Sequence, residues 1–186
     1  MKSGKVLKSI LTAKGNTVVF RTPISQDVDE LVIYANQLSQ EDTFVVLSGE
    51  VLSREIEEEY LEIWIREVET GNRMQIFAFS DNKLVANAEV RRVTKSRKRQ
   101  LHVGEIAISV AKDWRGQGIG KEILKTLIEE GKRMGLKLLT LTAFANNLRA
   151  IAIYESLGFI RAGEIPGAIC YKDQYIGHVY MYLPLV

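Results

Sequence analysis

A glycine-rich segment, RGQGIGKEIL at residues 115–124, has the residue types best suited to bind a ligand. It follows an apolar run at residues 106–110 and precedes a long amphipathic segment, a pattern that predicts strand, turn and helix. Gly116, Gly118 and Gly120 allow another molecule to come close to the backbone. A helix N-terminus presents free N–H groups and the positive end of its dipole, which suits phosphate. We therefore predict that main-chain groups bind a pyrophosphate-bearing cofactor here.

Two common phosphate-binding motifs are excluded by their spacing. A Walker A loop requires G-x-x-x-x-G-K-[ST], and the chain has no such run. The dinucleotide motif G-x-G-x-x-G, counted from Gly116, would need a third glycine where the chain has Lys121. The strands expected before the turn are also antiparallel, unlike those of a dinucleotide-binding unit. What remains is R-x-x-G-x-G after a strand.

A second motif follows about one predicted strand later, at residues 147–159. Its sequence, NLRAIAIYESLGF, has the pattern N-x-x-A-x-x-x-Y-x-x-x-G-F. Arg115, Gly118 and Gly120 fit the pattern Q/R-x-x-G-x-G/A. In both motifs the chain resembles the GNAT superfamily of acyl-CoA N-acyltransferases. The resemblance is strong over residues 103–159 and extends more loosely over the whole predicted order of elements.

This resemblance implies acetyl-CoA as the co-substrate and no metal. The pyrophosphate would bind the main chain of the glycine turn. The pantetheine arm would lie between the strand that ends at Val110 and a splayed neighbouring strand predicted at residues 136–143. There it would form hydrogen bonds with the main chain of Ile108 and Val110 and with the side chain of Asn147. The implied cofactor-binding residues are Ile108, Ser109, Val110, Arg115, Gly116, Gln117, Gly118, Ile119, Gly120, Lys121, Asn147, Ala150 and Tyr154.

The implied reaction is attack of an amine on the acyl thioester, which requires an acid for the thiolate and a base for the ammonium. Tyr154 matches the family tyrosine that lies near the thioester sulfur and acts as general acid. For the base we rank Glu105 first and Glu89 second, and a water chain remains a further alternative. Histidine is a common general base, but His102 sits near the start of its strand. Some relatives that act on protein N-termini carry a glutamate where this chain has Thr142.

The amine acceptor is left open by the sequence. In this family it binds beside the first two helices, their connection and the last hairpin, here residues 39–60 and 165–178. Glu41, Asp42 and Glu50 lie there and would favour a cationic amine, whether a protein N-terminus, a polyamine or another small amine. A non-catalytic acyl-CoA sensor is an alternative. The basic residues 91–99 suggest nucleic acid, but the net charge of +2 makes that partner unlikely.

Composition points to one domain over residues 1–186, with two strands in residues 1–22 and the acyl-CoA-binding core at residues 103–159. The chain is 46% hydrophobic and 26% charged, which suits a single sizeable core. No apolar run approaches the ~20 residues that span a bilayer, and no signal peptide is evident, so we expect a cytoplasmic protein without a membrane partner. A homodimer is an open alternative. Cys170, the single cysteine, is expected to be a buried hydrophobic residue.

The predicted elements make a mixed α/β (α+β) fold, with a mostly antiparallel sheet flanked by helices and splayed strands around the acyl-CoA groove. Ser25 and Ser53 are expected to cap the first two helices. The second helix is expected to face inward with Ile56, Tyr60, Ile63, Trp64 and Val68. Strands are predicted at residues 6–11, 17–21, 74–80, 83–94, 101–110, 136–143, 159–165 and 175–185, with later helices from Ile119 to about Met134 and at residues 147–157.

Overall fold

A computed structural model describes residues 2–41 and 43–185, and over these residues the chain folds around one eight-stranded sheet. The strand order is β1-β2-β3-β4-β5-β6-β8-β7; β5 and β6 are parallel, and the other neighbours are antiparallel. This confirms the predicted fold class. The elements are β1 Val6–Leu11, β2 Thr17–Arg21, α1 Val28–Gln40, α2 Arg54–Glu69, β3 Arg73–Ser80, β4 Lys83–Arg92, β5 Val103–Val110, α3 Ile119–Arg133, β6 Leu138–Phe144, α4 Leu148–Ser156, β7 Ile160–Tyr171 and β8 Gln174–Pro184.

Helices cover both faces of the sheet, because alternate residues of a strand point to opposite sides. On one face, Ile123 and Leu127 of α3 belong to a core cluster with Ile106 of β5. On the other, Leu31 of α1 and Leu61 of α2 pack in a second cluster with strand residues. The sheet is therefore enclosed as a layer between two hydrophobic cores. No described helix is both long enough and apolar enough to cross a membrane.

The sheet opens between β5 and β6. Within the described residues, their parallel ladder begins at Val103 and Leu138 and ends at the pair Glu105–Thr140. Beyond that pair each strand stays bound to its outer neighbour only, since β4 pairs with β5 as far as Val110 and β8 pairs with β6 as far as Phe144. The predicted splay is confirmed. It leaves a gap in the middle of the sheet whose edges carry main-chain groups without a strand partner.

Two turns follow the local sequence signals. Asp81 and Asn82 both have positive φ, at 46° and 63°, which fits the two-residue turn expected between β3 and β4. Gly135 has a φ of +76° directly after the last residues of α3, as expected of a glycine that ends a helix. Short-range chemistry therefore determined these connections.

The expected cap of the first helix is wrong. Ser25 lies within a short 3₁₀ turn, and α1 begins only at Val28. Asp27 is the residue before α1 and makes no side-chain cap bond to that helix; its carboxylate instead accepts the Ile24 N–H at 2.8 Å and pairs with Arg21 on β2. The cause is tertiary, because a buried carboxylate with an arginine partner holds the chain more firmly than an exposed serine.

The predicted inward face of α2 is only partly right. Ser53 caps the helix by accepting the Ile56 N–H, as expected. Ile56, Tyr60 and Ile63, however, are exposed. Val68 is buried and Trp64 packs against the second core cluster, as predicted, but Glu57 and Leu61 are buried in place of Ile56 and Tyr60, so the first half of the stripe is rotated by about one residue.

Cys170 is exposed, so the expectation that it is buried is wrong. It lies on β7, the edge strand, which runs to Tyr171 rather than ending near residue 165. Most of β7 is exposed on both faces. A residue's usual preference for burial does not apply where a strand extends past the helices that cover the rest of the sheet.

Candidate active site

The glycine turn presents bare main chain at the start of α3. Gly118 is the N-terminal boundary residue and has a φ of +89°, a conformation that strongly favours glycine. No side chain caps the helix, and the first bond of its ladder runs from Glu122 N to Gly118 O at 3.2 Å. The N–H groups of residues 119–121 therefore have no carbonyl partner one turn earlier. With Lys121 exposed beside them, these groups could hold a pyrophosphate.

The side chains of this turn are used to hold the turn itself. Gln117 is buried; its side-chain Nε2 donates to Asp113 O at 2.8 Å, and its main-chain carbonyl accepts the Ala13 N–H at 3.4 Å. Ile119 is buried in the core. Of these predicted cofactor-binding residues, only the main chain faces outward. Gly116, with a φ of +79°, and Gly120 add no side chain that could cover it.

Arg115 points away from the bare N–H groups. Its Nε donates to Val110 O at 2.8 Å, and its guanidinium forms an ion pair with Glu41 just after α1. Glu41 also accepts the Lys112 N–H at 3.2 Å. The charged residue of the motif is thus a brace between the turn, the end of β5 and the α1–α2 connection.

The open edge of β5 carries the main-chain groups expected to meet a pantetheine arm. Ala111 N donates to Val85 O on β4 at 2.9 Å. Because the main-chain groups of successive strand residues point to alternate edges, those of Val110 and Ile108 point toward the gap. The Val110 carbonyl is already taken by Arg115, which leaves the Val110 N–H and both groups of Ile108.

Ser109 is engaged with a residue that the sequence reasoning missed. The buried Tyr34 hydroxyl on α1 donates to Ser109 Oγ at 2.8 Å, and Ser109 Oγ donates to Asn87 O at 3.4 Å. Burial raises the pKa of Tyr34 well above its usual range, so its proton stays in this bond. The helical spacing of Leu31, Tyr34 and Leu38 could have identified it as an inward residue.

On the opposite side of the gap, α4 carries both predicted residues of the second motif. Asn147 caps the helix, since its Oδ1 accepts the Ala150 N–H at 3.2 Å, and its amide NH₂ is left for another partner. Tyr154 is 8% exposed and its ring packs on Phe159. Burial raises the pKa of Tyr154 to about 12, so its hydroxyl stays protonated at neutral pH. Among the described residues, no group hydrogen-bonds that hydroxyl.

The two candidate bases differ in how much of each carboxylate is engaged. The Glu89 side chain is 15% exposed, with Oε2 paired to Arg73 and Oε1 lying 3.3 Å from Arg91 Nε. The Glu105 side chain is 38% exposed and pairs with Arg91 through Oε2 alone. Within residues 2–41 and 43–185, Glu105 therefore keeps one oxygen without a partner, whereas Glu89 keeps none. His102 precedes β5 at the end far from the gap, and its carbonyl accepts the N–H groups that start β6.

Both glutamates belong to a longer charge network that the sequence did not reveal. Glu67 of α2 pairs with Arg73 and with Lys95. With the contacts of Glu89 and Glu105, the network holds three carboxylates and three cations: Glu67, Glu89, Glu105, Arg73, Arg91 and Lys95. Its charge is balanced. Arg91 and Lys95, predicted as part of a basic cluster, are thus largely neutralised.

An aromatic cluster lies at the acceptor side of the gap. Phe44 of the α1–α2 connection contacts Phe144 at the end of β6, with ring centroids 6.0 Å apart, and stacks on Tyr171 at 5.3 Å. His178 lies beside Phe144 at 6.3 Å and beside Tyr180 at 5.3 Å. The alternation of His178, Tyr180 and Tyr182 in β8 was the sequence signal for a shared face. Of the predicted acceptor-side carboxylates, Glu50 is exposed, and Asp42 lies outside the described residues.

Comparison with known proteins identifies this arrangement. Residues 36–159, which contain both motifs, match the model of the acetyltransferase (GNAT) family. The chain therefore belongs to the GNAT family, and the predicted resemblance is confirmed.

Among curated relatives, the chain is 46% identical over 55 residues to [ribosomal protein bS18]-alanine N-acetyltransferase of Escherichia coli K12. That match covers 30% of this chain and 37% of the relative, so the chain spans little more than a third of the relative's length.

Two solved structures support the fold over nearly the whole chain. A GNAT-family acetyltransferase from Streptococcus pneumoniae is 26% identical, with a TM-score of 0.80 over 90% of this chain and 98% of that one. The yncA protein of Salmonella typhimurium, whose structure includes its cofactor acetyl-CoA, has a TM-score of 0.77 at 16% identity over 91% and 94% of the two chains.

Proposed function

We propose that this protein transfers the acetyl group of acetyl-CoA to a primary amine by direct attack in a ternary complex. The observation that carries the proposal is the gap between β5 and β6, which has a bare phosphate-binding turn at its side and a free tyrosine hydroxyl opposite. We also propose that the chain forms a single domain, because the N-terminal strands continue the same sheet.

Acetyl-CoA supplies an acyl thioester when bound, and this chain supplies the groups that orient it. The N–H groups of residues 119–121 bind the pyrophosphate, with Lys121 beside them. The Val110 N–H, the main chain of Ile108 and the Asn147 amide bind the pantetheine arm in the gap. Arg115 does not bind phosphate; it holds the Val110 carbonyl and so sets the end of β5.

Two side chains move the protons of the reaction. The amine nitrogen forms a bond to the acyl carbon while the carbon–sulfur bond breaks. Tyr154 donates its hydroxyl proton to the departing sulfur, and a pKa of about 12 keeps that proton in place until a thiolate develops. The ammonium proton leaves for the free Oε1 of Glu105, directly or through water. Glu89 orients the arginines and accepts no proton.

A thiol-release assay with acetyl-CoA tests the proposal. The assay should present peptides with free N-termini, lysine peptides, polyamines, amino acids and aminoglycosides, with mass spectrometry of the products. We expect release of CoA and a mass gain of one acetyl group on at least one amine class. Acetyl-CoA binding by calorimetry without transfer to any class would overturn the proposal and favour a sensor instead.

A further inference from the structure

We propose that the acceptor is the α-amino group of a peptide whose first residue has a bulky apolar side chain. This inference rests on the proposed function and adds the substrate class. It comes from three observations on the acceptor side of the gap: the position of the aromatic cluster, the pairing of the nearby carboxylates, and the single oxygen available to take a proton.

The aromatic cluster borders the part of the gap where an acceptor must enter. Glu105 and Thr140 are the last paired residues, and four residues further along each strand stand Ser109 and Phe144. Since alternate strand residues share a face, these two lie on the same side of the sheet as the last pair. Tyr34 contacts Ser109 from α1, which identifies this side as the one covered by the first two helices.

Phe44 closes the cluster from the α1–α2 connection while remaining 37% exposed. Phe144, in contrast, is almost completely buried beneath it. The result is an apolar wall with an accessible aromatic surface at Phe44 and a half-buried histidine, His178, at its side. Such a surface gains free energy by covering an apolar side chain, at ~25 cal/mol per Å² of apolar area removed from water.

A polyamine does not match the charges of this side. The carboxylates beside the gap already have partners: Glu41 pairs with Arg115, Glu89 and Glu105 belong to the balanced network, and the exposed Glu50 accepts the Ser48 N–H. An acceptor with three or four positive charges would need several unpaired carboxylates. An α-amino group brings a single charge, which the free oxygen of Glu105 can meet.

The pKa of the amine also favours an α-amino group as the acceptor. An α-amino group has a pKa of about 7.7–8.0, so about 10% of it is neutral at pH 7, whereas a lysine side chain with a pKa of about 10.4 is neutral at only about 0.04%. A site with only one free carboxylate oxygen is a weak base and gives little help in removing a proton from an ammonium group. We therefore expect it to use the α-amino group, whose neutral, nucleophilic fraction at pH 7 is a few hundred times larger than that of lysine.

A comparison of matched substrates tests which class of amine the protein accepts. We compare kcat/KM for one peptide sequence beginning with Leu and the same sequence beginning with Asp, then for an N-terminally blocked lysine peptide and for spermidine. We expect kcat/KM for the Leu peptide to be at least about tenfold higher than for the Asp peptide. We expect it to be at least about 100-fold higher than for the blocked lysine peptide or for spermidine. Equal use of the Leu and Asp peptides, or preference for lysine or spermidine, would overturn the inference while leaving the transferase activity established.

A substitution in the aromatic cluster tests whether this cluster binds the side chain of the peptide's first residue. Phe44→Ala should raise KM for the Leu peptide by about tenfold, the worth of one apolar contact of about 1.4 kcal/mol, with little change in KM for acetyl-CoA. The Asp peptide should be unaffected, and Leu11→Ala on the exposed edge of β1 serves as the control. Unchanged KM for the Leu peptide in Phe44→Ala, with acetylation intact, would show that the aromatic cluster does not bind the acceptor. Loss of transfer to every amine would instead count against the proposed function.

Discussion

Arg115 and Glu41 form an ion pair that joins the glycine turn before α3 to the connection between α1 and α2, across 74 positions of the chain. The same arginine donates from Nε to Val110 O, so three segments meet at one guanidinium. The motif residue that the sequence suggested as a cofactor ligand is a brace in the folded protein. The glycine turn, the end of β5 and the α1–α2 connection are therefore held together by one side chain.

Removing the carboxylate tests this brace. Glu41→Gln should raise KM for acetyl-CoA about fivefold and lower kcat as well, since a partly exposed pair contributes about 1 kcal/mol and its loss releases both Arg115 and the α1–α2 connection. Steady-state kinetics with both substrates varied measures this. Glu62→Gln, on the exposed side of α2, is the matched control. Wild-type kinetics in Glu41→Gln would show that the pair has no positioning role.

Tyr154→Phe should lower kcat by about 10²–10⁴-fold, the usual contribution of a positioned acid. Acetyl-CoA should still bind with its ordinary affinity, because the ring and its packing on Phe159 are kept. Steady-state kinetics measure the change in kcat, and calorimetry measures the affinity for acetyl-CoA. With a pKa of about 12, Tyr154 should cause no fall in activity between pH 7 and about pH 10. Turnover equal to that of the wild type would remove Tyr154 from the mechanism.

Glu105→Gln should lower kcat by about 10²–10⁴-fold, the usual contribution of a positioned base, because an amide cannot take the ammonium proton. Folding should be nearly unchanged, since the pair with Arg91 is partly exposed and contributes less than about 1 kcal/mol. A kcat equal to that of the wild type at saturating amine would rule out Glu105 as the base.

Glu89→Gln should act on stability instead. Both of its oxygens are engaged and Arg73 is 9% exposed, so the substitution leaves a buried guanidinium with Glu67 as its remaining carboxylate partner. We expect a loss of about 2 kcal/mol in the free energy of unfolding, below the ~3–5 kcal/mol of a fully broken buried pair. Urea titration measures it. An unchanged midpoint together with a large fall in kcat would reverse the roles of Glu89 and Glu105.

Acid should weaken the fold through Glu67. Burial opposes the charged form, but hydrogen bonds from Lys95 and Arg73 outweigh it, and the pKa of Glu67 lies below its ordinary value of 4.5. A group with a lowered folded-state pKa adds stability above its unfolded pKa and loses it as pH falls through the folded one. Unfolding between pH 6 and pH 3 should show a steeper loss below about pH 4.5 in the wild type than in Glu67→Gln. Parallel curves would contradict this.

Local signals were sufficient for many of the elements. The bounds of β1 and β2 agree with those expected, and Asn147 caps α4 at the start of the helix predicted for residues 147–157. These features depend on residues within a few positions of one another. The errors are of another kind: the stripe of α2 and the exposure of Cys170 depend on which surface lies opposite, which no short segment specifies.

By itself, the sequence determined which chemistry could occur. The spacing of Gly118 and Gly120 excluded two nucleotide motifs, and the Asn147 and Tyr154 block made the turn half of a two-part site. Only the tertiary structure decided which groups are free to act. Glu105 and Glu89 look alike in sequence, yet one keeps an open oxygen and the other does not, because their arginine partners come from neighbouring strands. The partner of a charge is selected by packing between distant segments, and its reactivity follows from that partner.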